Sequence, residues 1–126
     1  MSKPQAAILV STYERPGHLY RSLVSIAAQR YVCGQLEVVV TDDGSRDETA
    51  PMVERFARSV DFPVRWTTHD HTSFRLATCR NEGVAATTAP YLIFLDGDLL
   101  VPPDFIAKHL ARRKPHVAMA GDSCYL

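Results

Sequence analysis

The sequence predicts an α/β protein whose central sheet is mostly parallel and has helices on both faces. Short apolar runs alternate along the chain with segments whose apolar residues recur at helical spacing. The runs at residues 38–40 and 91–95 lack polar alternation, which is expected of strands buried on both faces. The length of 126 residues suits one domain with a substantial hydrophobic core.

Five strands are predicted, each from a short apolar run. They cover residues 6–11, 36–41, 64–68, 91–95 and 117–120. Four helices lie between them. The first has an apolar face at Leu19, Leu23 and Ile26, and the second has one that includes Met52 and Phe56. The third, over residues 76–86, is weaker because a glycine interrupts it, and the fourth runs from a proline at 103 to about residue 113.

Composition excludes several classes of protein. The 14 basic and 14 acidic residues cancel, which argues against a nucleic-acid partner held by general attraction to phosphate. No apolar run approaches the roughly 20 residues of a membrane-spanning helix, and the run at 6–10 is too short for a signal peptide. Cys33, Cys79 and Cys124 are far apart and odd in number, which favours a reducing, cytoplasmic compartment over a disulfide scaffold or cysteine zinc site.

Polar and acidic residues follow three of the predicted strands. In a parallel sheet the carboxyl ends of the strands share one edge, where ligands bind. Two acidic pairs at such an edge repel each other, and a divalent cation, Mg²⁺ or Mn²⁺, is the usual partner of such carboxylates. The candidate residues are Ser11, Thr12, Tyr13 and Glu14 after the first strand, Asp42 and Asp43 after the second, and Asp96 and Asp98 after the fourth.

Each of these signals also has a purely structural interpretation. The Asp-Gly pairs are common turn signals, and Ser45 and Glu48 have the spacing of a capping box for the second helix. Arg80 is expected within reach of the acidic edge, although spacing alone fits a solvated surface arginine equally well. Both acidic pairs follow buried strands, and this joint placement favours a functional site.

Two weaker features receive structural interpretations. His69 and His71 lie two residues apart, and without a third ligand they are interpreted as ordinary loop histidines. The basic run at residues 112–114 most simply complements the dipole of the fourth helix, with contact to a membrane surface as the lesser alternative.

Four motifs together resemble the N-terminal, donor-binding part of family 2 glycosyltransferases, which have the GT-A (Rossmann-like) fold. Residues 11–16 resemble the family's Pro-Thr-Tyr-Asn-Arg, and residues 42–47 resemble its Asp-Asp-Gly-Ser-Thr-Asp. Residues 80–83 resemble its Arg-Asn-x-Gly, and residues 94–98 resemble its metal-binding Asp-x-Asp strand end. The resemblance covers roughly residues 6–122 and includes bacterial polysaccharide-type members such as chondroitin-polymerase-like enzymes.

The resemblance implies roles by position. The segment from Ser11 through Thr12 and Tyr13 to Glu14 would wrap the nucleotide. Asp42 would hydrogen-bond the base, with uracil favoured and Asp43 in support. Arg80 would lie near the diphosphate and sugar, with Asn81 also in the binding set. Asp96 would face the ribose, sugar or metal, and Asp98 would bind the metal directly. Glu14 stands where the family commonly has Asn, and Arg46 where it has Thr.

The implied activity is inverting transfer of a sugar from a nucleoside diphosphate, favouring UDP, to a hydroxyl of a glycan or lipid-linked acceptor. Such chemistry belongs to polysaccharide or lipopolysaccharide synthesis, with Mn²⁺ or Mg²⁺ as cofactor. Residues 1–126 are expected to form one nucleotide-sugar-binding domain that stops before the acceptor-binding part. The general base is expected beyond Leu126, and Asp122 is not assigned that role. Peripheral contact with the inner face of a membrane is a further expectation.

Other interpretations fit less of the sequence. A non-catalytic nucleotide-sugar-binding or interaction module is the main alternative, since a sheet ending here would leave apolar surface free for self-association. A phosphoacceptor receiver domain would carry its acidic pair after the first strand rather than the second. A nucleotidyltransferase satisfies the metal chemistry but explains Arg80 and Asn81 less well. A dinucleotide-binding domain lacks its Gly-x-Gly-x-x-Gly motif.

Overall fold

The structure, a computed structural model, describes residues 3–73 and 75–121. Asp122 and Cys124, discussed above, lie outside these residues. Strands and helices alternate through the chain, as the sequence predicts. The elements are β1 (Ala6–Thr12), α1 (Pro16–Ala27), β2 (Leu36–Asp42), α2 (Thr49–Ser59), β3 (Val64–Thr67), α3 (Leu76–Ala85), β4 (Tyr91–Asp96) and α4 (Phe105–Arg112).

The four strands form one parallel sheet in the order β3-β2-β1-β4. β1 pairs with β2 on one side and with β4 on the other, so it occupies the middle of the acidic edge. In this register Thr12 is the partner of Asp42, and Ser11 is the partner of Asp96. The predicted parallel sheet is confirmed, and the acidic residues after β2 and β4 flank the end of β1.

Helices cover both faces of the sheet, which confirms the predicted sandwich. Alternate side chains of β1 point to opposite faces because a strand has a period of two. Ile8 and Val10 belong to the large core cluster that includes α1, α2 and α4 residues. Ala7 and Leu9 belong to a smaller cluster on the opposite face, where α3 contacts β1 and β2.

The edge strand β4 departs from the prediction. It pairs with β1 alone among the described strands, and the Phe94 side chain is 46 % exposed, so residues 91–95 are not buried on both faces. The fifth strand predicted at residues 117–120 is absent, and these residues have no regular secondary structure and mostly exposed side chains. A short apolar run forms a strand only when a neighbouring strand pairs with it, and residues 117–120 have no ladder with β4.

The fourth helix begins two residues later than predicted, at Phe105, with Asp104 as its N-cap residue. Pro103 lies in the preceding turn, and its carbonyl accepts a hydrogen bond from the backbone N–H of Arg30 at 2.7 Å. That contact fixes Pro103 outside the helix. Among residues 3–73 and 75–121, no helix combines the length and the apolar character that crossing a membrane requires.

The glycine that interrupts the third helix serves close packing of that helix on the sheet. A Cβ atom placed on Gly83 would lie 2.6 Å from Cγ2 of Thr41 and 2.9 Å from Cδ2 of Leu9. Both neighbours are fully or almost fully buried and have little room to move. The Gly in the Arg-Asn-x-Gly motif therefore sets how closely α3, which carries Arg80, approaches the strands.

We expect Gly83→Ala to lower the free energy of unfolding by about 1–2 kcal/mol, because overpacking outweighs the better helix preference of alanine. Gly17→Ala is the matched control in α1. No atom lies within 4 Å of its added methyl group, so this variant should be more stable by up to about 1 kcal/mol. Urea denaturation of both variants measures the difference. Equal effects of the two substitutions would contradict the close packing at Gly83.

Candidate functional site

A cavity of about 390 Å³ lies at the carboxyl edge of the sheet. Its size falls in the range of small-molecule sites. Its lining joins segments that are far apart in the sequence, as expected where parallel strands end together. The lining residues are Ser11, Thr12, Tyr13, Arg15, Asp43, Leu76, Cys79, Asp96, Gly97 and Asp98.

Asp42, the first residue of its acidic pair, is fully buried and does not line this cavity. Its Oδ2 atom accepts hydrogen bonds from the backbone N–H groups of Gly44 and Ser45 and from the Thr68 hydroxyl at 2.8 Å. The Ser45 hydroxyl donates to Oδ1. Four donors occupy the carboxylate, so Asp42 is committed to holding the surrounding loops together.

Ser45 does not form the predicted capping box. Its hydroxyl donates to Asp42 and accepts a hydrogen bond from the backbone N–H of Glu14 at 2.7 Å. The N-cap residue of α2 is Glu48, which forms no side-chain cap, and Oδ1 of the preceding Asp47 accepts from the backbone N–H and the hydroxyl of Thr49. The competing partners explain the difference: a fully buried carboxylate needs donors more than an exposed helix end does.

Asp43 is the member of the pair that faces the cavity, although its side chain is only 4 % exposed. Its Oδ1 atom lies 2.6 Å from Nε2 of His69, and its Oδ2 atom accepts from the backbone N–H of Arg75 at 3.1 Å. Burial alone would raise the pKa of Asp43. The hydrogen bonds from His69 and Arg75, together with the nearby His71, outweigh burial and hold that pKa below its ordinary value.

His69 lies between two carboxylates. While Nε2 contacts Asp43, Nδ1 lies 3.0 Å from Oε1 of Glu82 on α3. The hydrogen bonds to Asp43 and Glu82 raise the pKa of His69 above its ordinary value, which favours the ring with a proton on both nitrogens. His69 lies in a loop, as interpreted, but it also contacts Asp43, a residue that lines the cavity.

His71 supports a second side chain of the cavity. Its ring stacks on that of Tyr13, with the centroids 4.1 Å apart and the planes 16° from parallel. Nδ1 of His71 donates to the backbone carbonyl of Asp43 at 2.9 Å, which fixes the ring. Gly44 makes this approach feasible: it has a φ of +88°, and a Cβ there would lie 2.5 Å from the backbone nitrogen of His71.

Arg80 reaches the acidic edge, as predicted. Its guanidinium lies 3.8 Å from Oδ1 of Asp96 and stacks over the Phe94 ring at 5.8 Å from the centroid. Its Nε atom is buried and has no hydrogen-bond partner among the described residues. Asn81 is exposed on α3, and neither it nor Glu14 is part of the cavity lining. The structure therefore gathers most, but not all, of the predicted site residues.

Two groups of side chains have the chemistry to hold a metal. Asp96 and Asp98 are exposed, line the cavity and offer carboxylate oxygens, the donors that Mg²⁺ and Mn²⁺ prefer. Ligand atoms of Asp43, His69 and Cys79 also lie within 4.8 Å of one another. An ion at that second place would have to break the 2.6 Å contact between Asp43 and His69. Burial also raises the pKa of the Cys79 thiol to about 11, which disfavours the thiolate. The pair Asp96 and Asp98 fits a divalent cation better.

Sequence reasoning missed four residues that contribute to the site: Arg15, His69, His71 and Glu82. Arg15 lies within the first strand-end motif, and Glu82 within Arg-Asn-x-Gly, so their positions were signalled without a role. The histidines had only their two-residue spacing as a signal. Their partners, Asp43 and Tyr13, come from other strand ends and are brought close by the fold.

Comparison with known proteins agrees with this arrangement. The profile of the family described as Glycosyl transferase family 2 matches residues 7–125. The chain therefore belongs to the family 2 glycosyltransferases, as the motifs indicated. It is 32 % identical over 108 residues to validoxylamine A glucosyltransferase of Streptomyces hygroscopicus subsp. jinggangensis, covering 86 % of this chain and 25 % of that protein. An uncharacterized glycosyltransferase of Bacillus subtilis, YfnE, is 35 % identical over 107 residues, covering 84 % and 26 %.

Solved structures show the same fold. The mannosyltransferase PcManGT from Pyrobaculum calidifontis, solved with GDP-Man and Mn²⁺, superposes with a TM-score of 0.78 at 27 % identity, covering 86 % of this chain and 32 % of its own. TarS of S. aureus superposes with a TM-score of 0.76 at 23 % identity, covering 85 % and 19 %. The fold is thus that of GT-A glycosyltransferases. The chain spans about a quarter of the length of the two relatives above.

The strained residue at the end of β1 gives a testable consequence. Glu14 has a φ of +47°, a left-handed conformation that asparagine, the family's common residue here, adopts more readily than glutamate. We expect Glu14→Asn to raise the free energy of unfolding by roughly 0.5–1 kcal/mol. Glu14→Gln removes the same charge without easing the backbone and should change stability by less than about 0.5 kcal/mol. Urea denaturation compares them, and equal stability of the two variants would refute the strain.

Proposed function

We propose that this chain is the donor-binding domain of a glycosyltransferase. In this role it binds a nucleoside diphosphate sugar together with a divalent cation and presents the sugar for inverting transfer to a hydroxyl acceptor. The observation that carries the proposal is the single cavity lined by Tyr13, Asp43, Asp96 and Asp98. The walls of this cavity thus combine the aromatic ring of Tyr13 and the buried carboxylate of Asp43 with two exposed carboxylates.

The base of the nucleotide is assigned to the side of the cavity at Asp43 and Tyr13. Asp42 was expected to contact the base, but its carboxylate is already occupied by four donors. Asp43 retains acceptor capacity beyond its contacts with His69 and Arg75, since an ionised carboxylate offers about four lone pairs. Tyr13 offers the ring next to which a base can stack, and His71 holds that ring in place.

The diphosphate and the cation are assigned to the side of β4. In the sheet register, Asp96 lies one strand from the end of β1 on the side opposite to Asp42. Neighbouring strands are about 4.8 Å apart, so the two acidic positions are about 10 Å apart, a separation suited to a base at one and a diphosphate at the other. Asp98, with Asp96, would hold the cation. The structure of PcManGT in complex with GDP-Man and Mn²⁺ supports this assignment.

The residues divide the chemistry of donor activation among them. A divalent cation bound at Asp96 and Asp98 would act as a Lewis acid toward the departing nucleoside diphosphate. Arg80 contacts Asp96 and brings a fixed positive charge to the same place, which stabilises developing negative charge without reorganisation. Asp43 and Tyr13 orient the base. No general base is assigned, because Asp104 is the last Asp or Glu among the described residues.

The finer features of the proposal follow the family resemblance. UDP is the favoured nucleotide, a glycan or lipid-linked hydroxyl is the acceptor, and polysaccharide or lipopolysaccharide synthesis is the setting. The reaction would take place on the cytoplasmic side, with the protein in solution or in peripheral contact with the inner face of the membrane. We propose that residues 1–126 act as one nucleotide-sugar-binding domain and that acceptor contacts come from elsewhere.

A non-catalytic nucleotide-sugar-binding module is the second candidate. One observation favours it: β4 has a free edge among the described residues, and Phe94 on that strand is 46 % exposed. Such an edge can pair with another chain or a second copy. Both candidates bind the same donor, so they differ in whether the chain takes part in transferring the sugar.

We expect Asp98→Asn to weaken Mn²⁺-dependent binding of UDP by roughly ten- to a hundredfold, because charged contacts contribute about 1.5–3 kcal/mol each. Isothermal titration calorimetry with UDP, with and without Mn²⁺, measures the effect. Asp61→Asn is the matched control, since Asp61 is exposed just before β3, at the opposite edge of the sheet, and should leave binding unchanged. If the wild-type chain bound no nucleoside diphosphate with Mn²⁺ present, the proposed function would be wrong.

A further inference from the structure

Asp43, the acid that faces the cavity, is held in place by its contact with His69. Among residues 3–73 and 75–121, each oxygen of Asp43 has one hydrogen-bond donor, His69 at Oδ1 and the Arg75 backbone N–H at Oδ2. The His69 side chain is 14 % exposed and that of Asp43 is 4 % exposed, so water screens the pair little. Loss of His69 would therefore leave a buried carboxylate with one donor fewer.

Glu82 completes the arrangement from α3. Its carboxylate accepts from Nδ1 of His69 at 3.0 Å, so the imidazole is held at both nitrogens and cannot rotate away from Asp43. Residues that interact electrostatically with Asp43 or share its surroundings come from every neighbouring segment. They are Tyr13 after β1, Asp42 on β2, His71 before α3, Arg75 at its N-cap, and Cys79 on α3.

On the basis of the proposed function, we propose that His69, supported by Glu82, is a positioning residue that fixes Asp43 as a pure hydrogen-bond acceptor, and that this makes the site select uracil over cytosine nucleotides. The selection follows from the hydrogen-bonding edge of the base. N3 of uracil carries a hydrogen that an ionised carboxylate accepts, whereas N3 of cytosine is itself an acceptor. An ionised carboxylate held in place faces N3 of cytosine with acceptor against acceptor.

Removal of His69 changes the state of the acid. Burial raises the pKa of Asp43, and the hydrogen bond from His69 is the first of the contacts that lower it. Without that bond the pKa of Asp43 rises, and as the pH falls more of the acid carries a proton. A protonated Asp43 can donate to N3 of cytosine, so the preference for uracil should shrink as the pH is lowered. In the wild type the carboxylate stays ionised well below neutral pH, and the preference should stay constant.

The test is isothermal titration of the 126-residue chain with UDP and CDP, each with Mn²⁺, between about pH 5 and about pH 8. We expect the wild type to prefer UDP by about tenfold or more throughout this range, as a charged hydrogen bond allows. His69→Ala should lose most of that preference, with the greatest loss at low pH. His69→Gln, which keeps a donor toward Asp43, should retain the preference near pH 8 and lose part of it near pH 5.

Glu82→Gln is a second variant at a half-exposed position, chosen because it leaves the buried acid and the histidine in place. Removing the charge of Glu82 should lower the pKa of His69, so the preference for UDP should weaken at the high end of the pH range. His109→Gln is the control, since His109 contacts Tyr91 and is not part of the cavity lining. It should behave as the wild type does.

The outcomes separate this inference from the proposed function. Equal affinity of the wild type for UDP and CDP would overturn the inference and leave the proposed donor binding intact. Equal losses of UDP and CDP binding in His69→Ala and Glu82→Gln, without any change in pH profile, would show a merely structural role and also overturn it. Absence of nucleotide binding in the wild type would instead refute the proposed function, and the inference with it.

Discussion

The buried carboxylate of Asp42 holds together the loops that form the site. It lies at the end of β2 and accepts hydrogen bonds from Gly44, Ser45 and Thr68, which belong to the segments after β2 and β3. Through the Ser45 hydroxyl the same network reaches Glu14, after β1. A buried carboxylate without these donors would cost several kcal/mol, so the loops and the acid stabilise one another. Three strand ends are thereby fixed around one charge.

The division of labour between Asp42 and Asp43 follows from this constraint. Successive residues at the end of a strand point in opposite directions, so when Asp42 is buried among the loops, Asp43 is turned toward the cavity. Two carboxylates this close cannot share one set of donors. Asp42 takes donors from backbone and hydroxyl groups, and Asp43 takes the His69 ring. The two adjacent aspartates of this turn therefore have different roles: Asp42 holds the loops together, and Asp43 faces the cavity.

Much of the fold and some of the site follow from the sequence, because both depend on local patterns. The apolar periodicity of β1, β2 and α1 reports burial directly, and the edge shared by parallel strands brings Asp43, Asp96 and Asp98 to one cavity. The prediction that Arg80 reaches the acidic edge is confirmed for a related reason. Because α3 packs closely on the sheet at Gly83, the Arg80 side chain on the same helix comes near Asp96.

The remaining features depend on competition between partners that are distant in sequence. Ser45 has the spacing of a cap, but the buried Asp42 takes its hydroxyl. His69 shows no pattern of its own, since its two acid partners come from β2 and α3. The apolar run of β4 predicts a strand buried on both faces. Its position at the edge of the described sheet instead leaves Phe94 half exposed. Neither the spacing of residues nor their apolar periodicity predicts which of two competing hydrogen-bond partners a side chain will bind.

The central claim is that Asp43, rather than Asp42, receives the base of the nucleotide. A crystal structure of the chain with UDP and Mn²⁺ tests it most directly. We expect the uracil N3 atom at about 2.7–3.2 Å from a carboxylate oxygen of Asp43, with Asp42 still bound by Ser45 and Thr68. Uracil bound to the Asp42 carboxylate, with those loop contacts broken, would contradict it.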